Sequence, residues 1–309
     1  MKPLLRLALA ADLVALMTVV LGSWTRINGA GLTCPDWPLC RGRLLPGMTD
    51  GTLWEWTHRL LASAVAPLVI ALIAVAWSRR KRSPFIGPTL GVIIVVFAVQ
   101  VLLGAETVHL ANSPISVVLH WATAMALIAS LSAMAVFAAA GETNGAQRAT
   151  TRASSAQAIV IGLTALVAFA TMCVGAYVSS SGAGLACLSI PGCAGNVVVY
   201  TPEQQVQMLH RIAAAATLIC AAAALALAWA YSASSRLRAA VGLGVALVSV
   251  QVLLGLLNVA LRLPTDLREA HAVNAALVFL AFFVATIFAV LDTVPQRGMR
   301  GATQGGSQG

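Results

Sequence analysis

The sequence predicts an all-α membrane protein, with eight transmembrane helices arranged as two parallel, tandem four-helix bundles. Apolar residues make up 59% of the chain and charged residues 9%, with a mean hydropathy of +0.88, a balance that no water-exposed globular surface tolerates. Eight mostly apolar runs reach the length of roughly 20 residues that a helix needs to cross the hydrocarbon core. They lie at about 7–25, 57–77, 85–105, 115–139, 157–178, 208–231, 238–260 and 271–291. The third observation is that the chain matches itself when shifted by 151 to 153 residues.

The first run resembles a cleaved signal peptide in having Lys2 and Arg6 ahead of it and Ala8-Leu9-Ala10 as a cleavage-like triplet. That triplet precedes most of the apolar run, whereas a signal peptide carries it afterwards, so the run reads as a span. Asp12 inside it fits either a position near the cytoplasmic interface or a proton-transfer role. The net charge of +9 is distributed as a topology signal rather than as a nucleic-acid patch. Lys2 and Arg6, Arg79 to Arg82, Arg148 and Arg152, Arg236 and Arg238, and Arg297 and Arg300 fall in alternate segments. Those segments are expected on the cytoplasmic side of the cell membrane, with both termini inside. The basic run at 79–82 reads as a stop-transfer anchor or as a contact with anionic lipid of the bilayer.

The repeat sets the domains. Gly29-Ala30-Gly31-Leu32 with Cys34, Pro38 and Cys40 returns as Gly182-Ala183-Gly184-Leu185 with Cys187, Pro191 and Cys193. His58-Arg59 returns as His210-Arg211, the string VQVLLG at 99–104 returns unchanged at 250–255, and His120 returns as His271. An even number of spans per half makes the repeats parallel. The expected units are 1–140, a polar cytoplasmic linker at 141–156, 157–292, and a disordered cytoplasmic tail at 293–309.

His58, His120, His210 and His271 lie near the outer ends of the second and fourth spans of each half. Buried imidazole in hydrocarbon needs a partner, which interhelical hydrogen bonding would supply. Two repeated pairs on non-adjacent helices instead suit haem iron held between facing imidazoles. Zinc would want three or four ligands close together, and each half offers two. Cys173 and Cys220 do not match across the repeat and read as apolar filler. His109 lacks a repeat partner and reads as a solvated loop residue or as a haem propionate contact.

Cys34 with Cys40 and Cys187 with Cys193 fall in non-cytoplasmic loops, where thiols oxidise, and two disulfides are the natural reading. A metal reading is weaker because no further ligands sit beside them. The halves differ at Glu55, three residues before His58, where the second half has Gln207 before His210. Glu55 shares a helix face with His58 and could take a proton beside a haem edge. Thr52 to Glu55 equally fits a capping box, as does Thr201 to Gln204. Arg59 and Arg211 read as propionate partners or as side chains snorkelling to the surface.

These residues, GAGLTCPDWPLC, then Glu55-Trp56-Thr57-His58-Arg59, then His120 and the weaker copy ending at His271, resemble the haem A synthase family. The resemblance covers nearly the whole chain except the termini and central linker. It implies that His58 and His120 bracket a haem O substrate, that His210 and His271 ligate a haem b cofactor, that Glu55 is catalytic, and that the Cys34–Cys40 disulfide matters for function. The implied reaction oxidises a methyl group of haem O to the formyl group of haem A, through an alcohol and a hydrated aldehyde. Haem O synthase would stand upstream and a haem-copper terminal oxidase downstream. The second loop, CLSIPGC, departs from the pattern by lacking Pro-Asp-Trp-Pro. A bis-histidine, dihaem cytochrome b-like electron carrier is the main rival, and a transporter or haem-delivery protein is a third class.

Overall fold

The structure is a computed structural model that describes residues 1–141, 154–193, 195, 199–231 and 233–293. The described residues form α1 (Lys2–Ile27), α2 (Thr52–Arg79), α3 (Ile86–His109), α4 (Pro114–Ala140), α5 (Ser155–Ser180), α6 (Pro202–Ala230), α7 (Ser235–Ala260) and α8 (Thr265–Thr293). All eight are long and apolar enough to cross a membrane. Most outrun their apolar stretches because polar first turns, such as Thr52 to His58, continue the helix while tying it to loops. The central linker lies outside the described residues at 142–153 and the tail at 294–309. Ser155 and Ala156 already belong to α5, and Thr293 to α8.

Helix starts follow local chemistry. Ser154 and Gln157 exchange both bonds of a capping box at α5. Proline follows Ser113 in α4 and Thr201 in α6, where a missing N–H costs nothing. The turns after α3 and α7 repeat one backbone shape, with positive φ at Ala111 and Asn112 and again at Arg262 and Leu263. His109, expected in the first of these turns, is instead the exposed last residue of α3. Its final turn is closed by the Leu110 N–H on the Glu106 carbonyl at 2.8 Å.

Within the first half α1 packs on α2 and α4, and α3 on α2 and α4; the second half repeats this, with α5 on α6 and α8 and α7 on α6 and α8. This packing is compatible with tandem four-helix units. The halves meet where α4 touches α5 and α8 and where α1 touches α8. Lipid offers helices no hydrophobic drive to associate, so small residues that let backbones approach take over. Ala124, Ala129, Ala135 and Ala138 of α4 and Ala276, Ala285 and Ala289 of α8 are all buried. One core joins Leu4, Ala8, Ala11 and Ala15 to Leu72, Met125 and Leu131, then crosses to Met172 and Phe279. The other gathers Ile161, Ala221, Ala224, Leu237 and Phe282.

At the disulfide-loop end of this seam, Arg26 Nη2 donates to Ser179 Oγ at 3.0 Å. The two residues are 153 apart, as are Cys34 and Cys187, so they are repeat-equivalent, and equivalents that touch lie on the pseudo-two-fold axis. Arg268 and Glu269 of α8 face Arg26 there, and Glu269 also lies beside Ser23. Asp12 makes a helix contact of a different kind: its Oδ2 accepts from Ser132 Oγ of α4 at 2.8 Å. It sits about 15 Å along α1 from Lys2 at the helical rise, half-buried, and links α1 to α4.

Candidate functional site

The four histidines lie about two to three turns into α2, α4, α6 and α8, beneath the disulfide loops. His58 Nδ1 lies 3.0 Å from the Thr18 carbonyl of α1, and His210 Nδ1 lies 3.2 Å from the Thr171 carbonyl of α5. A carbonyl only accepts, so Nδ1 carries the proton and Nε2 keeps the lone pair that a metal uses. One turn beyond each threonine stands a glycine that makes room for the ring. A Cβ on Gly22 would sit 2.6 Å from His58 Cε1, and one on Gly175 would sit 2.8 Å from His210 Cε1. His120 and His271 rest on Gly104 and Gly255 less tightly, at 3.4 and 3.3 Å by the same measure.

The rings of His210 and His271 have centres 6.3 Å apart with planes at 74°. A metal–imidazole bond of about 2.0–2.1 Å on each side, plus roughly 1 Å from nitrogen to ring centre, puts two rings sharing one ion about 6 Å apart. The spacing fits an ion held between them. His58 and His120 likewise lie within range of each other's charge. The Nδ1 atoms of His120 and His271 are buried and have no hydrogen-bond partner. Among the described residues no three His, Cys, Asp or Glu side chains cluster. The donor set is therefore two imidazoles per half, the number that a porphyrin iron leaves to its protein.

Glu55 does not cap α2. The N-cap is Gly51, with φ 81°, and Thr52 Oγ1 is buried without a partner, because the preceding turn needs a left-handed residue there. The Glu55 carboxylate turns to the disulfide loop. Oε2 accepts from Thr33 Oγ1 and from the Cys34 N–H, both at 2.9 Å, and Oε1 accepts from Arg59 Nη2 at 2.6 Å. In the second half Gln207 Oε1 accepts from the Cys187 N–H at 2.6 Å, and its Nε2 donates to the Gly184 carbonyl at 2.7 Å. Both residues are 4% exposed, and the two nests share the bond from the loop cysteine N–H while differing in charge and in having Thr33 against Ala186. Only the carboxylate needs a counter-ion, which Arg59 supplies. The second capping box does form in outline, with the Gln204 N–H on Thr201 Oγ1 and the Tyr200 N–H on Gln204 Oε1.

Arg59 and Arg211 are loop clamps in this structure. Arg59 donates to the carbonyls of Cys34, Asp36 and Leu39 as well as to Glu55. Arg211 donates to those of Cys187, Ser189, Pro191 and Gly192. The loops are closed by disulfides Cys34–Cys40 and Cys187–Cys193, whereas Cys173 and Cys220 are free thiols. Asp36 accepts from the N–H groups of Gly42 and Arg41. These backbone donors, Gly42 foremost, hold its carboxyl below the usual 3.8. Although CLSIPGC lacks the Asp, Ser189 takes its place, accepting from the Gly195 N–H at 2.9 Å. The Asn112 amide also pins the first loop, donating to the Gly31 carbonyl at 2.8 Å.

Sequence reasoning does not single out Thr18, Thr171 or the four glycines. Each recurs at the repeat offset, which is the signal that could have found them.

The fold and the site together define a polytopic, haem-handling membrane protein. The chain belongs to the COX15-CtaA family, described as cytochrome oxidase assembly protein, whose family model matches residues 6–283. It is 32% identical over 220 residues to Heme A synthase of Shouchella clausii, covering 69% of this chain and 72% of that one. It is 29% identical to Heme A synthase of Bacillus pumilus over 301 residues, 94% of each chain. The Shewanella oneidensis Heme A synthase is 27% identical, with 88% of this chain and 92% of that one covered.

Proposed function

We propose that this protein is an integral-membrane oxidoreductase that converts haem O to haem A, with a substrate site in the half at 1–140 and a haem b site in the half at 157–292. The observation that carries the reading is the carboxylate of Glu55 where the second half has the amide of Gln207, in nests that share the bond from the Cys34 or Cys187 N–H and differ also in having Thr33 against Ala186. A chain that carried electrons alone would have no use for that difference.

In this assignment His58 and His120 hold the substrate and His210 and His271 hold haem b, which supplies one-electron redox chemistry when bound. The Thr18 and Thr171 carbonyls hold Nδ1 of the α2 and α6 imidazoles, which would leave Nε2 of each to hold iron. Oxidation of a methyl carbon releases protons, and a carboxylate at the substrate edge receives them. Glu55 has the capacity: a carboxylate offers about four acceptor positions, and three are occupied by Thr33, Cys34 and Arg59. The same three bonds fix the carboxylate against the loop, and Arg59 holds that loop closed over the helix ends, where it limits access of water. The bonds of Arg59 and Arg211 to the loops run through Nη1 and Nη2, which leaves Nε–H of each for a propionate.

The basic segments opposite the disulfide loops support a topology with those loops on the non-cytoplasmic side of the cell membrane and both termini inside. Haem O synthase supplies the substrate, and a haem-copper oxidase receives the product. Co-expression with haem O synthase followed by pigment extraction tests the reading. Formyl haem is the expected product, whereas unchanged haem O and haem B would establish the electron carrier instead.

A further inference from the structure

The string VQVLLG is identical in α3 and α7, and its only polar member, Gln100 or Gln251, has no part in the chemistry above. Glutamine and the closing glycine are four residues apart and share a helix face. That face meets the histidine of the next helix, with Gly104 under His120 and Gly255 under His271.

The two glutamines nevertheless behave differently. Gln251 Nε2 lies 3.0 Å from the His271 carbonyl and 3.1 Å from His271 Nε2. Its Oε1 accepts at 2.7 Å from Asn274 Nδ2, which also donates to the Leu247 carbonyl at 2.9 Å. The result is a strap of two amides that ties α7 to α8 at the histidine. Donation to His271 Nε2 requires a lone pair on that atom, the same lone pair that iron takes. The main-chain contact does not compete with iron.

In the first half Thr123 stands where Asn274 stands in the second. Its hydroxyl, with one hydrogen to donate, lies 2.5 Å from Gln100 Oε1 and 2.8 and 3.2 Å from the carbonyls of Leu119 and His120. Thr123 thus faces the His120 carbonyl, and among the described residues no hydrogen bond joins Gln100 to His120. One substitution, three residues after the histidine, sets the strap in one half and leaves it open in the other.

We infer that Gln251 and Asn274 are positioning residues that hold His271 for a permanently bound haem, while Thr123 keeps Gln100 off His120 and lets the first site release its haem. The inference rests on the proposal that each half holds one haem. It assigns the difference between substrate and cofactor sites to residues that touch neither the loops nor Glu55.

The test is haem transfer from the purified full-length protein to excess apomyoglobin, followed by absorbance. A His58→Ala background reports the second site, and a His271→Ala background reports the first. Outer partners of a metal ligand are worth about 10- to 100-fold in affinity. The second site is therefore expected to lose haem at least about tenfold more slowly than the first. Asn274→Thr and Gln251→Leu should each remove most of that advantage and shift the low-spin electron paramagnetic resonance signal of the second haem. Thr123→Asn should slow release from the first site, and adding Gln100→Leu should abolish the gain, an outcome that general destabilisation does not produce and that survives misfolding of Asn274→Thr. Release rates at the first site that Thr123→Asn leaves unchanged would overturn the inference. Absence of haem from both backgrounds would instead overturn the two-haem assignment, and the inference with it.

Discussion

Replacing Glu55 by Gln separates chemistry from architecture, because the second half already shows what the amide does in that nest. Gln207 keeps the bond from the Cys187 N–H at 2.6 Å and adds one to the Gly184 carbonyl at 2.7 Å. In the Glu55→Gln variant the new amide should therefore keep the Cys34 N–H and give up the ion pair with Arg59. Arg59 would still hold three carbonyls, so the loss lies between that of one charge-assisted hydrogen bond, about 1.5–3 kcal/mol, and that of one partner of a buried ion pair, about 3–5 kcal/mol. That is small enough for the variant to insert and bind haem. General-base catalysis contributes about 10²- to 10⁴-fold, and formyl haem production should fall by that factor. The assay is pigment extraction from membranes matched for protein and total haem, with time points early enough to give rates. A variant with normal haem content and a rate within about threefold of the parent would refute the catalytic role and leave Glu55 as a loop pin only.

Gly22→Ala forces a Cβ to within 2.6 Å of His58 Cε1, and should lower occupancy of the first haem site about tenfold or more. Gly104→Ala, at 3.4 Å from His120 Cε1, should change occupancy less than about twofold; equal effects of the two in a haem titration would contradict the seat geometry. His210→Ala should remove one set of haem bands and leave a haem held by His58 and His120, as quantified by pyridine haemochrome. For Asp36 the folded pKa is depressed, so its contribution to the first loop is present in full above the ordinary value of 3.8 and fades as pH falls below it. At neutral pH, Asp36→Ala should accelerate hydrogen exchange at the Gly42 amide, and unchanged protection would show that the turn does not depend on the carboxylate.

The helices, the repeat and the histidine pairs are legible because each rests on a one-dimensional signal: run length, a fixed offset, and a residue type too costly to leave alone in lipid. The nest around Glu55 is not. Thr52 and Glu55 stand at capping-box spacing, and nothing in that spacing reveals that Gly51 takes the cap or that the carboxylate reaches 21 residues back to Cys34. Arg59 is hidden in the same way, since the carbonyls that it clamps come from an irregular loop closed by the disulfide. Gly22 and Gly175 read as ordinary small residues within apolar runs. Only the approach of a ring from another helix gives them a purpose. His109 falls on the other side of a helix end from the one expected, where a single closing hydrogen bond decides the boundary.

The contact between Arg26 and Ser179 bears on why two such units share one polypeptide. Were they identical and separately encoded, the axis would set guanidinium against guanidinium, and two like charges 4 Å apart repel by about 4 kcal/mol at an effective dielectric of 20. A covalent union escapes that penalty by writing serine on one side. It can then set one arginine against a hydroxyl at the contact itself, an arrangement that no self-associating pair of identical halves could reach.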